Sequence, residues 1–164
     1  PVARRAVAGT GRSLRGGDMI SCDTNILFIA FESSRPGHQA ARRFLESHRQ
    51  NPEFAVCDLV LMELYGLLRN PAVARRPLEP AAAAALIDRL RTNPRWDLLD
   101  YPGPAAGIMT RLWREAAQPG FARRRLYDVR LALTLRHHGV TEFATGNVRD
   151  FEGFGFHRVW NPIA

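Results

Sequence analysis

The chain has 164 residues and no lysine; all 23 of its basic side chains are arginine. That absence excludes the phosphate-binding lysine of P-loop enzymes, the Schiff-base lysine of pyridoxal chemistry and the kinase lysine. It also excludes a phosphoacceptor receiver domain, which needs a lysine beside its aspartate. Cysteine is scarce. Cys22 and Cys57 make no disulfide framework, no CxxC and no Cys/His zinc pattern, and both lie in apolar, strand-like runs. They read as buried free thiols of a reducing cytoplasm. His38, His48, His137, His138 and His157 form no HExxH or HxxxH pair, which argues against zinc. Without a G-x-S-x-G elbow or a G-x-G-x-x-G loop, serine-hydrolase and dinucleotide chemistry have no foothold. No apolar run reaches membrane-spanning length and no segment reads as a signal peptide, so a cytoplasmic protein with no membrane partner is expected.

What the chain does contain is enough apolar residue, 46%, against 24% charged, to fill a globular core. The formal charge of +7 is unevenly placed. Residues 1–18 set Arg4, Arg5, Arg12 and Arg15 against Asp18, a net of +3. Rich in Gly, Ala and Arg and lacking apolar periodicity, this stretch reads as a disordered basic arm, or as sequence translated ahead of a start at Met19. Residues 19–164 then form the expected domain. Its remaining charge of +4 permits a nucleic-acid partner without demanding one.

From Met19 onward, short apolar runs alternate with helical ones. Strands are expected at Ile20–Cys22, Phe54–Cys57, Trp96–Leu99, Thr141–Ala144 and His157–Trp160. Helices are expected over Ile26–Phe31, 36–50, Leu59–Arg69, Ala81–Leu90, 105–117 and Arg124–His138. Asp58 is placed as an N-cap and Gly139 at a helix C-terminus. Strands alternating with helices imply right-handed parallel crossovers, hence a three-layer α/β/α sandwich with a short, mostly parallel central sheet. In such folds ligands bind beyond the carboxyl ends of the strands, at the switch point of the sheet.

Residues just after strands therefore come first. Asp23 directly follows the first strand, where an N-cap is its plain alternative. Glu63 is the one charge in Leu59-Val60-Leu61-Met62-Glu63-Leu64-Tyr65-Gly66-Leu67-Leu68. An isolated carboxylate in an apolar helix is costly unless it is paired, protonated or bound to a cation. A salt bridge to a distant arginine is the competing account. Asp128 lies in the first turn of a helix, within reach of Arg124 and Arg125 for an intrahelical pair. Asp150 and Asn147 follow the fourth strand, where an Asx-turn would also explain them. Converging carboxylates with no histidine or cysteine among them specify a hard-cation site, suited to Mg²⁺ or Mn²⁺. The natural chemistry is metal-assisted phosphoryl transfer.

The ordered set Met19-Ile20-Ser21-Cys22-Asp23-Thr24-Asn25, an isolated helical Glu63, Asp128 opening a late helix and Phe143-Ala144-Thr145-Gly146-Asn147-Val148-Arg149-Asp150-Phe151 resembles a PIN domain. Within that family it is most similar to the VapC-type toxin ribonucleases of bacterial toxin–antitoxin modules, over about residues 19–164. The resemblance implies a Mg²⁺- or Mn²⁺-dependent endoribonuclease that hydrolyses RNA with activated water, leaving 5′-phosphate and 3′-OH ends. It assigns Asp23, Glu63, Asp128 and Asp150 as catalytic carboxylates, with Asp23, Asp128 and Asp150 as metal ligands. Thr24 and Asn147 match polar positions that orient a carboxylate or a water. Many relatives carry aspartate where Asn147 stands, so Asp150 is taken as the fourth acidic position.

Arg123, Arg124 and Arg125 are the expected phosphate contacts, with plain solvation or intrahelical pairing as the alternative. Trp113, Phe121, Tyr127 and Phe151 are candidates to stack on unpaired bases, with the core as their competing destination. The resemblance further implies a VapB-type antitoxin and a homodimer, with Leu67, Leu68 and the helix Ala81–Leu90 as possible parts of such surfaces. Two alternatives stay open at this point. One is a non-catalytic nucleic-acid-binding protein on the same fold; the other is a metal-dependent DNA nuclease or phosphatase using the same carboxylates.

Overall fold

A computed structural model describes residues 18–103 and 106–164. The reading of residues 1–18 as a disordered arm therefore lies, apart from Asp18, outside the described residues. Five short strands form one sheet: β1 Met19–Cys22, β2 Phe54–Cys57, β3 Asp97–Leu99, β4 Val140–Ala144 and β5 Arg158–Trp160. All pairings are parallel, in the order β3-β2-β1-β4-β5. Parallel strands covered on both faces carry continuous apolar runs rather than alternation. Phe54-Ala55-Val56-Cys57 follows that rule, with all of β2 buried. Cys22 and Cys57 are buried free thiols, as their apolar setting implied.

Seven helices are described: α1 Thr24–Phe31, α2 His38–His48, α3 Asp58–Arg69, α4 Pro80–Arg91, α5 Ala106–Ala116, α6 Arg125–His137 and α7 Val148–Phe151. From β1 the chain steps outward to β2 and β3, then returns across the sheet to β4 and β5. Right-handed crossovers in opposite directions place their helices on opposite faces. Accordingly α1 packs on α2 and α3, and α3 on α4, whereas α6 packs on α5 and α7. The result is the expected three-layer sandwich, with its switch point between β1 and β4.

Register fixes that point closely. Cys22, the last residue of β1, pairs with Ala144, the last of β4. Asp23 and Thr145 thus leave the sheet side by side, and the Asp23 amide donates to the Ala144 carbonyl at 2.9 Å. Beneath them Phe143, fully buried, packs against Phe151 with ring centroids 4.7 Å apart. Gly139 ends α6 with φ +85°, a conformation that favours glycine, and its amide donates to the Arg136 carbonyl.

Two local expectations are corrected. Asp58 is the first residue of α3 rather than its N-cap. Strand β2 runs straight into the helix, so the acid moves into the first turn, where the helix dipole still favours it. Asp150 belongs to the short helix α7 rather than to a loop. Four helical residues are too few to carry a readable period, and burial of Phe151 at 1% exposure is what pins them. Phe151 is therefore core and not a base-stacking surface. Among the described residues, no helix is long and apolar enough to cross a membrane.

Candidate active site

Two short motifs interlock where β1 and β4 end. Asp23 is the N-cap of α1, its Oδ1 accepting from the Thr24 amide at 2.7 Å. Its Oδ2 accepts from Asn25 Nδ2 and from Thr145 Oγ1, each at 2.7 Å. Asn25 Oδ1 in turn accepts from the Gly146 amide at 3.1 Å, and Thr145 Oγ1 from the Asn147 amide at 3.0 Å. The segments Asp23-Thr24-Asn25 and Thr145-Gly146-Asn147 are thereby stitched into one rigid edge. The plain N-cap alternative for Asp23 is correct but incomplete, since capping uses one of its oxygens.

Glu63 departs from the sequence expectation in a useful way. Its helix is apolar, yet the side chain is exposed rather than buried, because α3 turns Met62, Glu63 and Gly66 away from the core. Its partner is not an arginine: Thr24 Oγ1 donates to Glu63 Oε2 at 2.6 Å. Asp128 sits half-buried in the first turn of α6, and Asp150 half-buried on α7. These elements enclose a cleft of about 930 Å³. Asp23, Glu63, Asp128 and Asp150 all line it, as do Thr24 and Asn147.

Concentrated negative charge shows in the acidities. Burial, at 8% exposure, raises the Asp23 carboxyl to about 6. The Thr145 hydroxyl and Thr24 amide oppose the rise, and the Glu63 and Asp128 charges add to it. Asp128 is also raised, by burial first, then by Asp150 and Glu63, with Arg125 working against them. Neighbouring carboxylates that raise one another are relieved by a cation. The donor set is oxygen only, which fits a hard divalent ion such as Mg²⁺ or Mn²⁺. Among the described residues, no three acidic, His or Cys side chains are gathered tightly enough to chelate one ion by themselves.

Of the three expected phosphate contacts, Arg124 lines the cleft, while Arg123 is exposed outside its lining. Arg125 acts on Asp128 through its charge. Tyr127, 64% exposed, lines the cleft; Trp113, 54% exposed, does not. Sequence reasoning passed over three residues. Asn25 and Thr145 stand inside the quoted motifs, and their polar side chains flanking Asp23 were the available signal. Arg35 also lines the cleft, but nothing in Ser33-Ser34-Arg35-Pro36 sets it apart from a solvated turn.

Residues 20–156 match the model of the PIN domain family. Over 145 residues the chain is 54% identical to Ribonuclease VapC24 of Mycobacterium tuberculosis, from both strain CDC 1551 / Oshkosh and strain H37Rv, spanning 88% of this chain and 97% of the relative. Solved structures share the fold. The VapC20 toxin of M. tuberculosis, described as cleaving the sarcin–ricin loop, superposes with TM-score 0.56 at 16% identity, over 76% of this chain and 86% of that one. DNA-bound VapBC from Salmonella typhimurium gives TM-score 0.56 at 21% identity, over 89% and 99%. The ordered acidic positions, the parallel sheet with its carboxylate cleft, and this likeness over nearly the full length of a VapC make the chain a member of the PIN-domain family of VapC ribonucleases.

Proposed function

We propose that the protein is the toxin of a VapBC-type module, an endoribonuclease that depends on Mg²⁺ or Mn²⁺ and leaves 5′-phosphate and 3′-OH ends. The observation that carries this reading is the convergence of Asp23, Glu63, Asp128 and Asp150 on one cleft at the switch point of the sheet. The likeness to Ribonuclease VapC24 supplies the substrate class.

Of Asp23, Asp128 and Asp150, one or two would hold the cation directly and the rest would face its bound waters; when bound it would supply Lewis acidity toward the phosphate and a water of lowered pKa. The chain's own residues then have distinct tasks. Asp23 is fixed by three donors, so its carboxylate does not need to reorganise on binding. Thr24 occupies Oε2 of Glu63, which leaves Oε1 to orient the attacking water and accept its proton. Asn147 stands at the rim of the cleft as a neutral polar group, so the acidic set is completed by Asp150 from α7. Because water is the nucleophile, the RNA 2′-OH takes no part.

The antitoxin and the second copy belong to the same proposal. Leu68 is core at 4% exposure and so offers no docking surface. What α3 and α4 leave open is a groove of about 450 Å³ lined by Met62, Tyr65, Ala84 and Ile87, with Leu98 of β3 and the charged Asp58, Asp88 and Arg91.

A substrate panel tests the reading: end-labelled RNA, DNA of the same sequence and a phosphomonoester, each with purified protein and Mg²⁺. RNA cut to 5′-phosphate and 3′-OH ends is expected. Ends bearing a 2′,3′-cyclic phosphate would contradict water as nucleophile. Preferential cutting of DNA or the monoester would replace the substrate, and binding without cutting would favour a non-catalytic nucleic-acid binder.

A further inference from the structure

We propose that Arg35 is a substrate-positioning residue that holds an RNA phosphate on the α1–α2 side of the cleft, a role that rests on the nucleic-acid reading above. The cleft presents Asp23, Glu63, Asp128 and Asp150 to what must be a polyanion, and among its lining residues Arg35 and Arg124 are the two cations. Arg124 precedes α6 on one face of the sheet, and Arg35 lies in the turn between α1 and α2 on the other. A strand crossing the carboxylates from one face to the other therefore meets one guanidinium on each side.

Arg35 is exposed but not loose. Its Nη2 donates to the Val73 carbonyl at 2.7 Å, and its guanidinium carbon stands 5.4 Å from the centre of the Phe28 ring. Phe28 and Val73 both line the cleft. The loop bearing Val73 is tied to the Arg35 turn by Glu32, which is 8% exposed. Glu32 Oε2 accepts from the Arg75 amide at 2.9 Å, and Oε1 accepts from Ser34 Oγ at 2.8 Å and its amide at 3.2 Å. This buried carboxylate thus fastens two loops whose shared product is a fixed arginine. Among the described residues no carboxylate oxygen lies within 4 Å of Arg35; Glu32 feels its charge from farther off, and one carbonyl takes one of its N–H groups, so most of the fork remains for a ligand. A planar fork fixed in advance loses little freedom on binding phosphate.

The test uses full-length protein and a fluorescein-labelled single-stranded RNA 12-mer. Binding is measured by anisotropy between low and moderate salt in a Glu63→Gln background, with Arg35→Ala and Arg35→Lys added. Loss of one phosphate contact should lower the slope of log affinity against log salt by about 0.7. Lysine should restore the slope but not the full affinity, since it keeps the charge and loses the fork. In otherwise wild-type protein, Arg35→Ala should raise KM about tenfold while kcat changes little.

An unchanged slope with unchanged KM overturns the proposal. An unchanged slope with a lowered melting temperature does so too, and reduces Arg35 to a structural link to Val73. If the wild type does not cut RNA but Arg35→Ala still lowers the salt slope, the nuclease reading fails and the phosphate site stands. If the wild type neither binds nor cuts, both fail.

Discussion

Asp23 stores strain of an electrostatic kind. Its carboxyl titrates near 6 in the folded chain against an ordinary value of 3.8, so between those values the folded state holds a proton that the unfolded state has released. Stability of the metal-free protein is therefore greatest below about pH 4 as far as this group is concerned. It falls as pH rises to about 6, by about 3 kcal/mol. Chemical denaturation from pH 4 to 7 in EDTA checks the sign, and a rise over that interval would show that other groups dominate. The hydroxyls have separable roles. Thr24→Val keeps the shape and removes the donor to Glu63 Oε2; the expected outcome is a loss of cleavage of about 10–100-fold with little change in fold, while Thr24→Ser retains activity. Thr145→Val removes a donor that lowers the Asp23 pKa, so half-maximal cation binding should move to higher pH. Titration of cation binding against pH in the two proteins measures that shift directly.

Elements determine which carboxylates meet. β1 and β4 end in register, which sets Asp23 beside Thr145, and α3 and α6 deliver Glu63 and Asp128 from opposite faces. The weak member is α7, four residues long and held by one buried ring. Phe151→Ala should cost about 3–5 kcal/mol, as expected for a buried aromatic, and should cut activity beyond what an equally destabilising change remote from the cleft does. Equal losses in two such variants would show that α7 does not position Asp150. The longer elements were legible in the sequence because apolar period and punctuation agreed at Asn70-Pro71, Pro94 and Gly139. α7 was not, since one helical turn has no period. Glu63 stood out in the sequence for its isolation, and the structure places it in the cleft for a different reason. An apolar helix reads as buried all round, and only the packing of α3 reveals that Met62 and Glu63 face outward.

At the scale of the whole molecule, a mildly basic chain surrounds an acidic cleft. On the proposed reading that contrast would reconcile the carboxylates with a polyanionic substrate: arginines on the rim would attract the backbone, and a bound cation would offset the charges inside. The stabilisation by Mg²⁺ should then depend on pH. At pH 7.5, above the Asp23 value near 6, millimolar Mg²⁺ should raise the melting temperature clearly more than at pH 5, where proton and metal compete for the same oxygen. Equal shifts at both pH values would place the ion elsewhere. The sequence carried the fold class and the acidic positions because each follows from local pattern and order along the chain. It did not carry Asn25 bridging to Gly146 or Arg35 fastened to Val73. Those contacts join segments 121 and 38 residues apart, and only the sheet and the loop closure bring them together.

The most direct test of the central claim is cleavage of end-labelled structured RNA by the wild type, Asp23→Asn and Asp128→Asn, purified identically, in Mg²⁺ and in EDTA. Cutting by the wild type in Mg²⁺, abolished by EDTA and by either substitution, is the predicted result. Cutting of equal rate in all three proteins, or persisting in EDTA, would contradict a metal-dependent site built on these carboxylates.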